Sequence, residues 1–205
     1  VDQVMVGTAD NAFCAVRPPG HHAEPSRAMG FCLFNCIGVA ALHARAVHGA
    51  TRVAVVDFDV HHGNGTQAAV WNDKDLSSGS THQMPLFPGT GAKNETGVGN
   101  IWNAPLAPGD DGEDFRSAFS TRIMPALNAF APDFVLLSAG FDAHVRDPLA
   151  QLRLQEDDFA WVTETLLEAA AKHSGGRLVS VLEGGYDLDA LASSTAVHVR
   201  TLMGA

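Results

Sequence analysis

Cysteine is scarce in this sequence, with only Cys14, Cys32 and Cys36 among 205 residues. The three residues follow no CxxC spacing and make an odd count, so they do not resemble a disulfide framework. We expect free thiols that act as small hydrophobic side chains, in a reducing compartment such as the cytoplasm.

Basic residues are also few, with 13 lysines and arginines against 23 acidic residues and a formal net charge of -10. This balance argues against nucleic-acid binding as the main activity, because such proteins usually present a basic face. It is compatible with a cationic substrate or partner. The sequence has no apolar run long enough to cross a bilayer and no signal-peptide pattern at its start. We therefore expect neither direct nucleic-acid binding nor membrane association.

Short apolar segments alternate with helical segments along the whole chain, without a repeat or a linker that would divide it. Alternation of this kind is typical of one α/β domain in which helices cover both faces of a mainly parallel sheet. The predicted strands are Ala12–Val16, Val53–Phe58, Leu76–Thr81, Phe134–Ala139 and Leu178–Leu182. The predicted helices are Phe31–Val47, Thr66–Trp71, Glu113–Phe130 with a kink or boundary at Pro125, Glu156–Lys172 and Leu188–Leu202.

Chemically unusual residues follow four of these strands, in segments 17–22, 57–65, 140–142 and 183–186. The carboxyl ends of parallel strands lie at one edge of a sheet, where ligands bind in open α/β folds. The four segments therefore predict an active site at this edge.

The segment Asp57-Phe-Asp-Val-His61 alternates polar and apolar residues, which puts Asp57, Asp59 and His61 on one face of an extended chain. Asp142 can add a carboxylate from a neighbouring strand end. Carboxylates and an imidazole collected in this way favour a divalent cation, and three ligands with an open position suit catalytic zinc. Other divalent ions fit as well, and any one of these aspartates could instead cap a helix or pair with a histidine.

Two further features indicate catalysis. His21 and His22 are adjacent after Pro-Pro-Gly, and histidines with a near-neutral pKa can accept and donate protons during hydrolysis. Tyr186 is the single tyrosine in the chain and follows two glycines at a strand end, where its hydroxyl could stabilise a carbonyl oxygen as negative charge develops.

The ordered motifs identify a resemblance that covers the chain from about Cys14 to near its C-terminus. The motifs are Arg17-Pro-Pro-Gly-His-His-Ala, Gly30-Phe-Cys, Asp57-Phe-Asp-Val-His-His-Gly-Asn-Gly-Thr, Phe87-Pro-Gly-Thr-Gly, Ser138-Ala-Gly-Phe-Asp-Ala-His and Glu183-Gly-Gly-Tyr. In this order they resemble the zinc-dependent histone deacetylases, and the Arg-Pro-Pro-Gly form is similar to class II and bacterial members.

The resemblance implies the three-layer arginase/deacetylase α/β fold and a set of site residues. Zinc ligands are implied at Asp59, His61 and Asp142, a general acid–base pair at His21 and His22, a partner of His21 at Asp57 and a carbonyl-polarising hydroxyl at Tyr186. Substrate-binding positions are implied at Gly30, Phe31, Phe87, Leu149 and Gly185. Some family members also bind potassium, which is implied here at Asp57, Asp59 and His61 with Ser80 and Thr81.

The sequence departs from the family pattern at two points. Asn64 stands where class I enzymes carry an aspartate that supports the second histidine, so the acidity of His22 is expected to differ. Family catalytic domains are also longer, so residues 1–205 are expected to form one catalytic domain without the N-terminal portion of the family. A homo-oligomer is left open, because a shortened domain could expose a sheet edge.

The expected activity is removal of acetyl or a similar acyl group from an amine, such as the lysine side chain of a histone or other protein. The alternatives are an acetylpolyamine amidohydrolase, which would act on acetylated small amines, and a catalytically silent module that binds acyl-lysine. A silent module should lack a metal ligand, a catalytic histidine or the tyrosine, and this sequence keeps all of them.

Overall fold

A single twisted sheet organises the computed structural model, which describes residues 1–204. Within this range the sheet has six strands in the order β1-β6-β5-β2-β3-β4, and every neighbouring pair is parallel. The strands are β1 (Asn11–Cys14), β2 (Val53–Asp57), β3 (Leu76–Gln83), β4 (Ile101–Leu106), β5 (Phe134–Ala139) and β6 (Leu178–Leu182). The parallel sheet confirms the predicted class.

Helices cover both faces of the sheet and enclose two hydrophobic cores. The helices are α1 (Asp2–Met5), α2 (Cys36–His48), α3 (Asn64–Val70), α4 (Gly112–Ala118), α5 (Met124–Phe130), α6 (Glu156–His173) and α7 (Leu188–Leu202). Alternate residues of β2 serve the two cores: Ala54 and Val56 pack towards α4 to α7, whereas Val53 and Val55 pack towards α1 and α2. Both faces are therefore buried, which explains the continuous apolar character of the central strands.

The helix predicted over Phe31–Val47 begins later, at Cys36. Phe31 has a φ of 65°, a left-handed conformation that no α-helix accommodates. Asn35 caps the helix instead, since its side-chain oxygen accepts a hydrogen bond from the Gly38 amide at 2.8 Å. The apolar composition of this segment was misleading, because Phe31 is an exposed residue of a loop.

The helix predicted over Glu113–Phe130 is confirmed, since the backbone is helical without a break from Gly112 to Phe130. A π-helical turn over Phe119–Ile123 separates α4 from α5. Pro125 lies in the first turn of α5, directly after this π-helical turn, so the irregularity predicted at Pro125 is a change in the helical hydrogen-bonding pattern and not an end of the helix.

Two elements were not predicted, namely α1 and β4. Strand β4 contains Asn103 and Pro105, which disfavour strands, but it lies at the edge of the sheet, where proline is tolerated. The other elements match the predictions to within three residues at each end. Cys14, Cys32 and Cys36 are free thiols, as expected. Within residues 1–204, no helix combines the length and apolar character that a membrane span requires.

His198 of α7 is fully buried in the larger core. Its Nδ1 lies 2.7 Å from Thr163 Oγ1, which itself donates to the Phe159 carbonyl, so Nδ1 carries the hydrogen. Its Nε2 lies 2.8 Å from Ser180 Oγ and accepts from that hydroxyl. The neutral ring is thus fully hydrogen-bonded, and burial lowers the pKa of His198 to about 4.

We expect His198 to make folding acid-sensitive. Between pH 6.5 and about 4 the unfolded chain binds a proton at this residue that the folded chain does not, so stability falls as the pH is lowered through this window. The loss from pH 7 to 4.5 should be about 2.5 kcal/mol larger in the wild type than in His198→Gln. Urea unfolding at both pH values measures this difference, and an equal loss in the two proteins would contradict it.

Candidate active site

Four neighbouring strands deliver the predicted site residues to one edge of the sheet. In the order β1-β6-β5-β2, the strands end at Cys14, Leu182, Ala139 and Asp57. The segment after each strand carries the unusual residues seen in the sequence. Parallel pairing therefore brings together side chains that are up to 165 positions apart, from His21 to Tyr186.

Asp59, His61 and Asp142 form a compact buried group, as their sequence pattern predicts. Each offers a ligand atom, and these atoms all lie within 4.8 Å of one another. His61 Nδ1 lies 3.2 Å from Asp59 Oδ1 and 3.1 Å from Asp142 Oδ2. The Val60 amide donates to Asp142 Oδ1 at 2.9 Å, which fixes the orientation of that carboxylate.

Two glycines make room for this group. A Cβ atom at Gly184 would lie 2.0 Å from Asp142 Oδ2 and 2.6 Å from Asp59 Oδ2, and one at Gly140 would lie 2.1 Å from the same Asp59 oxygen. No side chain can be built at either position without displacing a carboxylate. The glycines therefore form a cradle that holds both acids at the edge of the sheet.

The charge of this group fits a divalent cation. Burial raises the pKa of Asp142 to about 7, and the nearby Asp59 carboxylate acts in the same direction. Burial alone would lower the pKa of His61, but hydrogen bonds to Asp142 and Asp59 outweigh it and raise that pKa to about 10. Two buried acids beside one imidazole leave excess negative charge, which a bound cation would neutralise. Oxygen and nitrogen ligands suit zinc among other divalent ions.

His21 is supported by two buried carboxylates. Its Nδ1 lies 2.9 Å from Asp57 Oδ2, as predicted, and its backbone amide donates to Glu183 Oε2 at 3.1 Å. Burial alone would lower the pKa of His21, but the charges of Asp57, Asp59 and Glu183 raise it well above its usual value. A divalent cation beside Asp59 would offset part of this effect.

His22 has a defined neutral tautomer. Asn64 Nδ2 donates to Glu24 Oε1 at 2.7 Å, which turns Asn64 Oδ1 towards His22 Nδ1 at 2.9 Å. His22 Nδ1 therefore carries the hydrogen, and Nε2 is left as a proton acceptor. Burial, followed by the charge of His21, lowers the pKa of His22 to about 3.

Tyr186 is held by its backbone and its ring. Its amide donates to Asp147 Oδ2 at 2.8 Å, and the Arg17 guanidinium carbon lies 5.7 Å from the centre of its ring. Burial and the charges of Asp142 and Asp59 raise the pKa of Tyr186 above its usual value, so the hydroxyl stays protonated and can donate a hydrogen bond.

His22, His61 and Tyr186 line a cavity of about 530 Å³. Phe31 and Phe87 contribute walls that are 69% and 47% exposed, so the mouth of the cavity is apolar and open to solvent. The Phe31 and Tyr186 ring centres are 6.0 Å apart, and those of His22 and Phe87 are 5.1 Å apart. The lining residues are His22, Gly30, Phe31, His61, Leu86, Phe87, Leu149 and Tyr186.

Gly30 has a positive φ of 54° and lies so close to His22 that a Cβ atom would lie 2.3 Å from that ring. Gly185 is the one predicted substrate-binding residue that does not line the cavity. Its carbonyl accepts a hydrogen bond from Arg17 at 2.7 Å, so in this structure it fastens the turn before Tyr186.

Two of the five residues suggested for potassium, Ser80 and Thr81, lie on the neighbouring strand β3. Ser80 of β3 pairs with Asp57 of β2, and its hydroxyl lies 2.9 Å from His82 Nδ1. Thr81 Oγ1 is buried and has no hydrogen-bond partner among residues 1–204. Potassium binding stays a prediction.

Several residues that hold the site residues in position were not predicted from the sequence. Glu183 accepts hydrogen bonds from the Gly20 amide at 2.6 Å and the His21 amide at 3.1 Å, and Asp147 accepts from the Tyr186 amide. Arg17 and Glu183 were visible only as members of motifs. Nothing in the local sequence marks Asp147 or Leu86, which reach the site from separate loops.

Comparison with known proteins places these features in one family. The sequence profile described as "Histone deacetylase domain" matches residues 1–202. A histone deacetylase-like amidohydrolase of Pseudomonas aeruginosa is 47% identical over 191 residues, which are 91% of this chain and 50% of that protein. A chloroplastic histone deacetylase 10 of Oryza sativa subsp. japonica is 47% identical over 196 residues, or 94% of this chain and 44% of that protein.

A solved structure shares the fold. The crystal structure of the HDA15 HD domain superposes with a TM-score of 0.94 at 40% identity, covering 99% of this chain and 58% of that chain. The three-layer α/β arrangement is therefore the arginase/deacetylase fold. The present chain spans about half the length of the curated relatives that it matches.

Proposed function

Because the chain belongs to the histone deacetylase family, we propose that it forms the catalytic part of a zinc-dependent amidohydrolase that removes acetyl groups from lysine side chains. The observation that carries the proposal is the convergence of Asp59, His61 and Asp142 beside His22 and Tyr186 at one end of an apolar cavity. A cavity with aromatic walls suits the aliphatic chain of an acyl-lysine.

Asp59, His61 and Asp142 would hold the zinc ion. A bound zinc ion supplies Lewis acidity, which polarises a carbonyl group and lowers the pKa of water. His61 lines the cavity, whereas the two aspartates lie behind it, so the substrate carbonyl would enter from the side of His61. Potassium beside Asp57 and Ser80 is a further proposal that rests on the resemblance alone.

His22 Nε2 would accept a proton from the attacking water, because His22 lines the cavity and its Nδ1 hydrogen is bound by Asn64. The water oxygen bonds to the amide carbon, and the C–N bond then breaks as His22 returns this proton to the leaving amine. The products are acetate and a free amine. His21, paired with Asp57, would make His22 a stronger proton donor to the amine, because burial lowers the pKa of His22 and a charge on His21 lowers it further.

Tyr186 would donate a hydrogen bond to the carbonyl oxygen as negative charge develops on it. Its protonated hydroxyl is suited to this role, and Asp147 and Arg17 hold the residue in position. A donor of this kind stabilises the transition state more than the substrate.

A combined assay of zinc content and hydrolysis tests the proposal. We expect zinc in the purified chain and release of acetate from an acetyl-lysine peptide with higher kcat/KM than from acetylated polyamines. Hydrolysis of acetylated polyamines alone would favour the small-amine alternative. Retained zinc without hydrolysis of either substrate would contradict an enzymatic role for this chain and favour an acyl-lysine-binding module.

A further inference from the structure

A second group of metal-binding side chains lies on the surface, where α1 meets α2. His43 Nε2 lies 2.6 Å and His48 Nε2 lies 2.7 Å from the same atom, Asp2 Oδ1. The two imidazole rings are 5.6 Å apart between their centres. All three ligand atoms lie within 4.8 Å of one another, as in the group at the active site.

This group shares no residue with the active site and lies near the opposite edge of the sheet. Helix α2 ends at His48, and strand β2 begins only five positions later, at Val53. The active-site segment follows the other end of that strand, after Asp57. An effect on one site can therefore be measured without altering a ligand of the other.

Regular structure positions the backbone of all three residues. His43 and His48 belong to α2, whose buried residues Ile37, Ala41 and Ala44 anchor it in the smaller core. Asp2 belongs to α1, a single turn whose Val4 is only 2% exposed and packs in the same core. Because both helices are anchored, the two imidazoles and the carboxylate meet without a long flexible loop.

The ligand types and spacing suit a first-row divalent ion. Two imidazole nitrogens and one carboxylate oxygen fit Zn²⁺, Ni²⁺ or Cu²⁺, with a further position open to water. With bonds of about 2.0–2.1 Å, tetrahedral ligand atoms lie roughly 3.3 Å apart, so the group needs to open by roughly 0.7 Å. The Asp2 side chain is 64% exposed and is free to make this movement.

We propose that Asp2, His43 and His48 form a second site for a divalent transition-metal ion, which fastens helix α1 to helix α2. The ion would add a polar link between two helices that pack in the same hydrophobic core. The site is partly exposed and carries one carboxylate, whereas the active-site group is buried and carries two. We therefore expect weaker binding at the second site and exchange with free metal in solution.

Cobalt titration of tag-free protein, stripped of metal, tests the number of sites, because Co²⁺ bound to such ligands absorbs visible light. We expect two equivalents in the wild type, one in the double variant His43→Gln/His48→Gln, and one in Asp142→Asn. The variant His173→Gln removes a half-buried histidine of α6 that contacts Asn128, and it should still bind two equivalents. One equivalent in the wild type, or two in the double variant, would overturn the proposal.

Hydrogen exchange tests whether the ion fastens α1. In the Asp142→Asn background, Zn²⁺ at ten times its Kd should slow amide exchange in residues 4–6 by about tenfold, if opening of α1 releases the ion. The effect should vanish when His43→Gln/His48→Gln is added. Equal exchange with and without zinc would overturn the fastening role. The double variant should hydrolyse the acetyl-lysine peptide at the wild-type rate. A negative result for the second metal site is therefore distinct from failure of the proposed deacetylase function.

Discussion

Replacing Asp142 with asparagine should remove the active-site zinc and lower turnover by a thousandfold or more. The Val60 amide donates to Asp142 Oδ1, so the amide oxygen of the substituted side chain should take that position and its NH₂ group should face His61. An NH₂ group cannot coordinate a cation. A metal ion contributes several kcal/mol to such reactions, and about 4 kcal/mol corresponds to a thousandfold in rate.

The matched control is Asp133→Asn, which removes the same charge elsewhere. Asp133 immediately precedes β5 and accepts hydrogen bonds from the Thr51 and Arg52 amides, far from the carboxyl edge of the sheet. Zinc content and turnover should be unchanged in this variant. Thermal unfolding of both variants checks that they fold. A folded Asp142→Asn protein with full zinc content and full turnover would contradict the assigned ligand set.

Replacing Tyr186 with phenylalanine should lower kcat by about 100- to 1,000-fold while zinc stays bound, the usual cost of losing one donor to a developing oxyanion. The substitution removes one hydroxyl group and keeps the ring, which lies near Arg17 and Phe31. The backbone bond to Asp147 is also kept. KM should change little, because the hydroxyl acts mainly in the transition state.

Steady-state kinetics and zinc analysis of the same preparation test this prediction. A rise in KM with unchanged kcat would assign Tyr186 to substrate binding, and unchanged kinetics would remove it from the mechanism. Loss of zinc would indicate a structural role instead.

The sequence predicted the site better than it predicted the element boundaries. The segments after β2, β5 and β6 could be located because the carboxyl ends of parallel strands lie at one edge of a sheet, and this predicted that Asp59, His61 and Asp142 meet there. The start of α2 was placed too early, because the apolar residues before the Asn35 cap resemble a helix, whereas the backbone at Phe31 is left-handed. Strand β4 was missed because Pro105 is acceptable only at an edge, and the edge is a property of the whole sheet.

Supporting contacts were the least predictable features. Glu183 binds the Gly20 and His21 amides from 162 or more positions away, and Asp147 binds the Tyr186 amide from 39 positions away. The surface group of Asp2, His43 and His48 could not be predicted from the sequence either. His43 and His48 look like ordinary helix residues until α1 brings Asp2 between them. Such contacts depend on tertiary packing, which leaves no periodic pattern in the sequence.

X-ray absorption at the zinc edge identifies the ligands of the active-site ion, and the His43→Gln/His48→Gln variant suits it because only that ion should remain. We expect one zinc ion bound by oxygen and imidazole nitrogen at about 2.0–2.2 Å, from Asp59, His61 and Asp142. A shell containing sulfur at about 2.3 Å, or a variant that retains no zinc, would contradict this expectation.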